Sequence, residues 1–274
     1  MSDDFLDFSD RHVFVAGGTS GINLGIAKGF AERGARVTVI SRNEERVADA
    51  VETLRAAPAE AQGYAADVRD SARIEAVLAE ACAGFGEIDV LVSGAAGNFP
   101  AMAKDMSANA FKSVVDIDLL GTFHVMRHGY AHLTRPGASV INISAPQAFQ
   151  PSHAQSHVSA AKAGVDMLTR SLAIEWGVDG VRVNSVVPGI IQDTEGFRRL
   201  APPGVDHAHL ARGVPLYRLG SKSDVANLAL VLASPLASYV SGAVIPVDGG
   251  WSLQGYSVMA AGAFAGLAAG GKRD

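Results

Sequence analysis

Short apolar runs alternate with helical segments along almost the whole chain of 274 residues. Residues 11–16 and 36–40 are such runs, rich in β-branched side chains and followed by glycine or polar residues, as strands are. Between them, Ile22, Ile26 and Phe30 form one apolar stripe at helical spacing, which ends before a glycine. Strands separated by helices pair in parallel through right-handed crossovers. The pattern predicts one α/β domain over residues 1–274, a doubly wound (Rossmann) fold with a seven-stranded parallel sheet.

The same signals place the remaining elements. Strands are predicted at 62–66, 90–93, 139–143, 181–187 and 243–247, and helices at 44–57, 71–85, 107–134 and 152–176. The segment 188–220 is predicted to be a long loop, which is typical of a substrate lid or of a disordered segment. The segment 252–274, rich in alanine and glycine, is predicted to be a C-terminal tail, either a frayed end or an arm that covers another subunit.

Composition restricts the partners that the chain can bind. A net charge of −5 provides no basic field for nucleic acid or an anionic membrane. Cys82 is the only cysteine, so no internal disulfide can form and no cysteine-based zinc site is expected. His124, His128 and His132 recur at helical spacing without an acidic partner, so a polar face at a subunit contact is expected rather than a metal site. No signal peptide precedes Arg11 and no apolar run reaches the length of a membrane span, so the predicted location is the cytoplasm.

The first strand leads into a glycine-rich turn, Gly17-Gly18-Thr19-Ser20-Gly21-Ile22. Glycines in a turn between a strand and a helix let the backbone approach a pyrophosphate, which then lies at the N-terminus of the helix. We therefore predict a dinucleotide site that includes Gly17, Thr19, Ser20, Gly21 and Ile22.

The end of the second strand indicates which dinucleotide is bound. An acidic residue there would bind the ribose hydroxyls of NAD, but the chain has Ser41 and Arg42, with Arg46 one turn further on. A guanidinium forms paired, charge-assisted hydrogen bonds with a phosphate, so these residues favour NADP with its 2′-phosphate. The alternative is that both arginines are solvated charges at the start of a helix. Asp67 and Val68, after the third strand, are expected to flank the adenine.

Several segments together resemble the short-chain dehydrogenase/reductase family over nearly the whole chain. They are the glycine-rich turn, Asp67-Val68, Ala95-Ala96-Gly97, the helix that bears Lys162, Pro188-Gly189 and Val247-Asp248-Gly249-Gly250. The resemblance adds Ala95, Lys162, Pro188, Gly189 and Ile190 to the expected cofactor site, and it implies a homotetramer.

A second set of segments resembles the 2,4-dienoyl-CoA reductases of the peroxisomal type. The matches are Ala95-Ala96-Gly97-Asn98-Phe99, Asp116-Ile117-Asp118 before Gly121-Thr122-Phe123, His157 five residues before Lys162, and the segments 194–200 and 233–239. Most of the larger family carries a tyrosine four residues before the lysine and a serine thirteen residues before that tyrosine. This chain has Val158 and Ala145 there. Because the peroxisomal subfamily lacks both residues too, the two absences favour that resemblance.

One further departure affects the cofactor site. Asn23 stands where the family has the third glycine of its turn. Asparagine tolerates unusual backbone angles better than most residues, so a modified dinucleotide site is predicted. The alternative is a degenerate site that binds nothing.

What the resemblance implies is NADPH-dependent reduction of an enoyl or 2,4-dienoyl thioester by hydride transfer. Val158 cannot exchange a proton, so ordinary carbonyl reduction is not expected. By resemblance, Lys162 holds the nicotinamide ribose, and Asp118 replaces the usual asparagine as the candidate acid. The alternative is that Asp118 only pairs with Lys162.

Four residues are assigned to the substrate. Asn98 and Gln147 could donate to the thioester oxyanion or merely stabilise their loops. Phe99 could line the acyl pocket or belong to the core, and His157 could face the cleft wall or solvent or act as the acid. The arginines at 69, 198 and 199 are candidate clamps for coenzyme A phosphates. Two other functions stay open: a short-chain reductase or dehydrogenase of another oxo or cyclic enone substrate, and a dinucleotide-binding protein without turnover.

Overall fold

Seven parallel strands form one sheet in the order β3-β2-β1-β4-β5-β6-β7. Their positions come from a computed structural model, which describes residues 5–200 and 207–254. The strands are β1 His12–Ala16, β2 Arg36–Ser41, β3 Ala61–Ala65, β4 Val90–Ser93, β5 Ser139–Ile143, β6 Arg182–Pro188 and β7 Val244–Val247. The strand order reverses between β1 and β4, and a doubly wound sheet binds its ligands in the crevice at such a point.

Helices cover both faces of the sheet. They are α1 Gly21–Ala31, α2 Glu44–Arg55, α3 Ser71–Phe85, α4 Ala108–Val115, α5 Gly121–Gly129, α6 Ser156–Trp176, α7 Glu195–Leu200, α8 His207–Arg212 and α9 Lys222–Ala233. No helix within the described ranges is long and apolar enough to cross a membrane.

The alternation of side chains along β1 divides the core into two layers. Val13 and Val15 point to the layer that α1 and α9 cover, while Phe14 and Ala16 point to the layer beneath α3 and α5. All four are fully buried. Burial on both faces is why the strands are continuous apolar runs rather than alternating ones. The predicted single α/β domain with a seven-stranded parallel sheet is confirmed in its fold.

The predicted helix at 107–134 is wrong as one uninterrupted element. A π-helical turn, Asp116–Leu120, separates α4 from α5, and a 3-10 turn, Tyr130–His132, follows α5. A π-turn inserts one extra residue into the helical ladder and is frequent at functional sites. The local sequence is compatible with a regular helix, so this interruption has no signal in the apolar periodicity.

The predicted loop at 188–220 contains two short helices, α7 and α8. Thr194 caps α7, since its hydroxyl oxygen accepts a hydrogen bond from the Phe197 amide at 3.0 Å. Helices of six residues are too short to show an apolar stripe, which is why the sequence pattern did not predict them. Residues 201–206, and the predicted tail beyond residue 254, lie outside the described residues.

Candidate active site

The glycine-rich turn after β1 has an open backbone. Gly17 has φ +76°, and a Cβ placed on it would lie 2.9 Å from the Cα of Ala95, so only glycine fits there. Gly21 has φ +57° and opens into empty space at the start of α1. Ser20 forms no side-chain cap, so the first amides of α1 stay available for a pyrophosphate. Thr19 is half-buried beside them.

The end of β2 carries the two arginines predicted to select the cofactor. Arg42 and Arg46 are exposed, and Asn43 between them caps α2 by accepting from the Arg46 amide at 2.8 Å. Within residues 5–200 and 207–254, neither guanidinium forms an ion pair or a hydrogen bond. Ser41 is half-buried at the same strand end, and its hydroxyl lies 3.5 Å from the Asn43 carbonyl. A phosphate at this edge of the sheet would meet two unengaged positive charges.

Asp67 and Val68 follow β3 at the neighbouring strand end. Asp67 forms an ion pair with Arg69, at 2.5 Å between Oδ2 and Nη2. The Arg69 guanidinium holds the pKa of the Asp67 carboxyl below its usual range, and the charge of Arg42 adds to this effect. Arg69 is therefore occupied inside the chain, which argues against its predicted role as a coenzyme A clamp. Arg198 is exposed on α7, and the side chain of residue 199 lies outside the described part of the structure.

Lys162 and Asp118 form the centre of the site. Lys162 Nζ lies 3.4 Å from Asp118 Oδ2, and the two side chains are only 5% and 1% exposed. Lys162 Nζ also donates to the carbonyl of Ile143 at 2.9 Å, while Asp118 Oδ1 accepts from the Gly97 amide at 2.7 Å. The carboxylate therefore pairs with the lysine, as one of the two interpretations of Asp118 expected. The second carboxylate oxygen, Oδ2, has no hydrogen-bond donor among the described residues.

The positions of the missing tyrosine and serine are apolar. Val158 is buried in a small cluster with Val114 and Ala161, against which Phe99 packs. Ala145 begins the short turn that follows β5. Since neither side chain has a titratable or hydroxyl group, Asp118 and Lys162 are the charged pair beside this stretch of α6.

Several buried polar atoms around this pair have no partner within the described residues. They include Asn98 Oδ1, Asp118 Oδ2, Gln147 Oε1, Gln155 Oε1 and both ring nitrogens of His157. Buried polar groups are nearly always hydrogen-bonded, so such a concentration at one end of the sheet is the mark of a ligand or water site. Of the four predicted substrate residues, His157 and Phe99 are in contact, with ring centroids 4.6 Å apart.

The loop after β6 closes the other side of the crevice. Pro188 ends the strand, and the Gly189 amide donates to the Val247 carbonyl at 2.9 Å. A Cβ on Gly189 would lie 2.5 Å from the Cβ of Asp248, so the two turns can meet only at a glycine. The carbonyl of Ile190 accepts from the Gly220 amide at 2.9 Å, which joins the start of the predicted lid to its end.

One buried carboxyl near Lys162, that of Asp166, was not predicted from the sequence. Asp166 lies one helical turn after Lys162 on α6, and its Oδ1 accepts from the Ser185 hydroxyl of β6 at 3.0 Å. Burial raises the pKa of the Asp166 carboxyl above its ordinary value, while the hydroxyls of Ser144 and Ser185 and the charge of Lys162 act in the opposite direction. The one available signal was an acidic residue at helical spacing from the lysine, which is common on exposed helix faces.

Two of the three helix histidines have partners inside the chain. His124 Nδ1 lies 2.9 Å from the Val68 carbonyl, and His128 Nε2 lies 2.8 Å from the Ser71 hydroxyl. Both rings therefore face the start of α3, while the polar face at a subunit contact stays a prediction. In the described part of the chain, no group of three or more His, Cys, Asp or Glu residues is placed to hold a metal ion.

Comparison with known proteins gives the same class that this fold and site define. The family model described as enoyl-(acyl carrier protein) reductase matches residues 16–252. The (3E)-enoyl-CoA-producing peroxisomal 2,4-dienoyl-CoA reductase of Rattus norvegicus is 45% identical over 243 residues, which cover 88% of this chain and 83% of that protein. The cis-4-hydroxycyclohexanecarboxylate dehydrogenase of Sinomonas cyclohexanicum is 37% identical over 247 residues, or 89% of this chain and 98% of that one. A solved short-chain dehydrogenase from Bacillus anthracis superposes with a TM-score of 0.81 at 33% identity, covering 89% of this chain and 97% of that structure.

The chain belongs to the short-chain dehydrogenase/reductase family, a class of nicotinamide dinucleotide-dependent oxidoreductases. Within that family it resembles the 2,4-dienoyl-CoA reductases over most of its length. The predicted resemblance is thereby confirmed.

Proposed function

We propose that the protein is an NADPH-dependent reductase of enoyl or 2,4-dienoyl acyl-CoA thioesters that works without the family's serine and tyrosine. The observation that carries the proposal is the buried Lys162–Asp118 pair beside an apolar Val158. A site with this pair can stabilise an anion and manage a proton, but Val158 and Ala145 offer no hydroxyl to protonate a new alkoxide. The name of the Rattus norvegicus relative supports the same substrate class.

The chemistry of a conjugated thioester suits these residues. Bound NADPH would supply a hydride to the far end of the 2,4-diene. The electrons of the double bonds then shift toward the carbonyl, so negative charge develops on the thioester oxygen, and the α-carbon takes up a proton. The product is a 3-enoyl thioester. The protein must stabilise an oxyanion and deliver one proton.

Lys162 supplies the positive charge. Its ammonium group is nearly fully buried and is held in place by the Ile143 carbonyl at 2.9 Å. A charge fixed in a water-poor site acts more strongly on a developing anion than the same charge in water. With the nicotinamide ribose held by the same group, the loss of Lys162 would harm both cofactor binding and turnover.

Asp118 is proposed to hold the water molecule that delivers the proton. The Gly97 amide fixes Oδ1, while Oδ2 has no hydrogen-bond donor of its own and lies beside the lysine. A water hydrogen-bonded to Oδ2 could pass a proton to the α-carbon and be reprotonated from solvent. Asn98 and Gln147 are the proposed oxyanion donors, and Phe99 with His157 the proposed wall of the acyl pocket.

NADP is the proposed cofactor. Its pyrophosphate would lie over Gly17, Thr19, Ser20, Gly21 and Ile22, where the open glycine backbone and the uncapped start of α1 fit an anion. The unpaired guanidinium groups of Arg42 and Arg46 fit a 2′-phosphate. Asp67, Val68 and Ala95 would border the adenosine half, with Pro188, Gly189 and Ile190 near the nicotinamide.

A homotetramer is the proposed assembly. One exposed apolar surface lies on α4 and α5 and includes Phe111, Leu120 and Phe123. A second one lies near the edge strand β7 and includes Leu236 and Tyr239. Two different self-complementary surfaces on one chain generate a tetramer of dihedral symmetry. Light scattering that gives a monomer at micromolar concentration would rule this assembly out.

The proposed location is the cytoplasm. Cell fractionation tests it.

The segment 188–220 is the proposed lid. The close contact of Gly189 with Asp248 holds its start against the turn after β7, and the pairing of Ile190 with Gly220 joins its two ends. Limited proteolysis with and without NADPH and an acyl-CoA tests the lid, which should become protected when both are bound.

A second candidate function is oxidation or reduction of a cyclic hydroxy or oxo acid. The similarity to the cis-4-hydroxycyclohexanecarboxylate dehydrogenase of Sinomonas cyclohexanicum favours it. The two functions separate in one assay: NADPH consumption with a 2,4-dienoyl-CoA, run beside a panel of cyclic ketones and alcohols. Turnover of the dienoyl thioester supports the first proposal, and turnover of the cyclic compounds alone supports the second. Cofactor binding without turnover of either would indicate a binding protein.

A further inference from the structure

Asn23 lies between the turns that follow β1 and β4, the two strands at which the sheet order reverses. It lies in the first turn of α1, where the family carries a glycine, and it is only 9% exposed. The turns after β1 and β4 both contact its side chain. An asparagine in this position therefore has close neighbours on both sides of the crevice.

The amide of Asn23 fills the space that two glycines leave open. Its Nδ2 donates to the carbonyl of Gly94 at 2.7 Å. A Cβ added to Gly94 would lie 2.5 Å from this nitrogen, and a Cβ added to Gly17 would lie 3.2 Å from it. The side chain of Asn23 thus packs against both Gly17 and Gly94. A larger residue at either glycine position would displace the Asn23 amide.

The loop that Asn23 binds is the same loop that orients Asp118. Gly94 follows β4 directly, and three residues later the Gly97 amide donates to Asp118 Oδ1 at 2.7 Å. One short loop is therefore anchored at its start by Asn23 and at its end by the active-site carboxylate. Asp118 in turn lies 3.4 Å from Lys162. A continuous series of contacts leads from the glycine-rich turn to the buried ion pair.

We propose that Asn23 is a positioning residue, whose side chain fixes the loop 94–97 against the glycine-rich turn before the dinucleotide binds. In this role it replaces close glycine packing by a directed hydrogen bond. The remaining acceptor, Asn23 Oδ1, has no donor in the described ranges and can accept from an ordered water or a cofactor hydroxyl. The proposal rests on dinucleotide binding at this crevice, as set out under the proposed function, but not on the identity of the acyl substrate.

The test compares two ligands that occupy different lengths of the crevice. NADPH spans the glycine-rich turn, whereas adenosine 2′-monophosphate, which has no 5′-phosphate, would reach only the arginine end of β2. In Asn23→Gly we expect NADPH to bind about threefold to tenfold more weakly, the size of one buried neutral hydrogen bond, with the monophosphate affinity unchanged. Hydrogen exchange of the Gly97 amide in the cofactor-free protein should become faster, since its loop loses one anchor.

Asn184→Ala is the matched control. Asn184 is a buried asparagine of β6 whose Nδ2 donates to the Val240 carbonyl at 2.9 Å, the same kind of bond away from the crevice. This variant should lose thermal stability and keep both ligand affinities. If Asn23→Gly does not fold, Asn23→Ser removes the same bond with a smaller change in backbone freedom.

The outcomes separate this inference from the proposed reaction. Wild-type protein that binds NADPH but reduces no thioester refutes the reaction and leaves the binding test intact. Wild-type NADPH affinity in Asn23→Gly, or an equal loss of NADPH and adenosine 2′-monophosphate affinity, would overturn the positioning role. So would an unchanged exchange rate of the Gly97 amide.

Discussion

Two buried carboxyls lie near Lys162, and replacing one should abolish most of the turnover while replacing the other should not. Asp118 contacts the lysine, while Asp166 lies one helical turn away and accepts from Ser185. Burial raises the pKa of the Asp166 carboxyl above its ordinary value. Since Asp118 forms the ion pair with Lys162 and Asp166 is held by the Ser185 hydroxyl, we expect Asp118 to be the functional partner of the lysine and Asp166 to have a structural role.

The size of the effect follows from the 3.4 Å separation of Lys162 Nζ and Asp118 Oδ2. At an effective dielectric constant of about 20, two unit charges at that distance attract by about 5 kcal/mol, before the cost of desolvation. Removing one member of a buried pair typically costs about 3–5 kcal/mol of stability, because the other charge is left unpaired. Asp118→Ala should therefore lower the free energy of unfolding by roughly this amount.

The turnover of the Asp118 variants should fall by more than their loss of folding stability explains. Loss of general acid assistance typically costs about 10²–10⁴-fold in rate, so kcat of Asp118→Ala and Asp118→Asn should fall by that factor. NADPH affinity should stay nearly unchanged in both. In Asp166→Asn, the amide keeps the shape of the carboxyl and can still accept from the Ser185 hydroxyl, so kcat should remain close to that of the wild type. Lys162→Ala should lose both turnover and NADPH affinity.

The assay is steady-state NADPH consumption with a 2,4-dienoyl-CoA, combined with cofactor titration and urea unfolding of each variant. Near-normal turnover in Asp118→Asn would show that Asp118 does not hold the proton-donating water, and His157 would become the candidate acid. A large loss of kcat in Asp166→Asn would show that Asp166 also contributes to turnover, which contradicts the assignment of Asp118 as the functional partner of Lys162.

Three further predictions concern the cofactor, the missing tyrosine and the far end of the sheet. Arg42→Ala should weaken NADPH binding about tenfold or more, as expected for the loss of a charge-assisted hydrogen bond, and leave NADH binding unchanged. If the wild-type protein bound NADPH and NADH with equal affinity, NADP specificity would be refuted. Val158→Tyr should not raise kcat, and it should lower stability by about 1–3 kcal/mol, because the ring must enter the cluster around Val114; a gain in turnover would contradict this. Burial lowers the pKa of His12 in the folded protein below the ordinary value of about 6.5. At pH values between the two, the unfolded chain therefore binds more protons than the folded protein. The free energy of unfolding should therefore decrease as pH falls below about 6.5, and His12→Gln should remove part of that slope in urea titrations.

The fold was predictable because its signals are local. The bounds of β4, β5 and α3 agree with the sequence pattern, since each is a run of apolar residues, or a capped amphipathic stripe, with a sharp end. Asp70, for example, caps α3 by accepting from the Arg73 amide at 3.0 Å. Such features act within a few residues, so composition and spacing reveal them.

The arrangement of the site was less predictable because it depends on contacts between distant segments. The sequence suggested Asp118 and Lys162, but not the π-helical turn that carries Asp118 or the Gly97 amide that fixes it. In the sequence, Asn23 was recognisable only as a departure from the glycine of the family's turn. Its hydrogen-bond acceptor, the Gly94 carbonyl, lies 71 residues further along the chain. Asp166 resembled a surface residue until its burial beside Ser185 was known.

The most direct test of the proposed function is a labelled single turnover. The protein would be mixed with NADPH carrying deuterium at the transferable position and a 2,4-dienoyl-CoA, and the product analysed by mass spectrometry and NMR. A parallel reaction with unlabelled NADPH would run in deuterated water. We predict cofactor deuterium at the carbon farthest along the diene and solvent deuterium at the α-carbon of a 3-enoyl thioester. Deuterium at a carbonyl carbon, or no transfer from NADPH at all, would contradict the account.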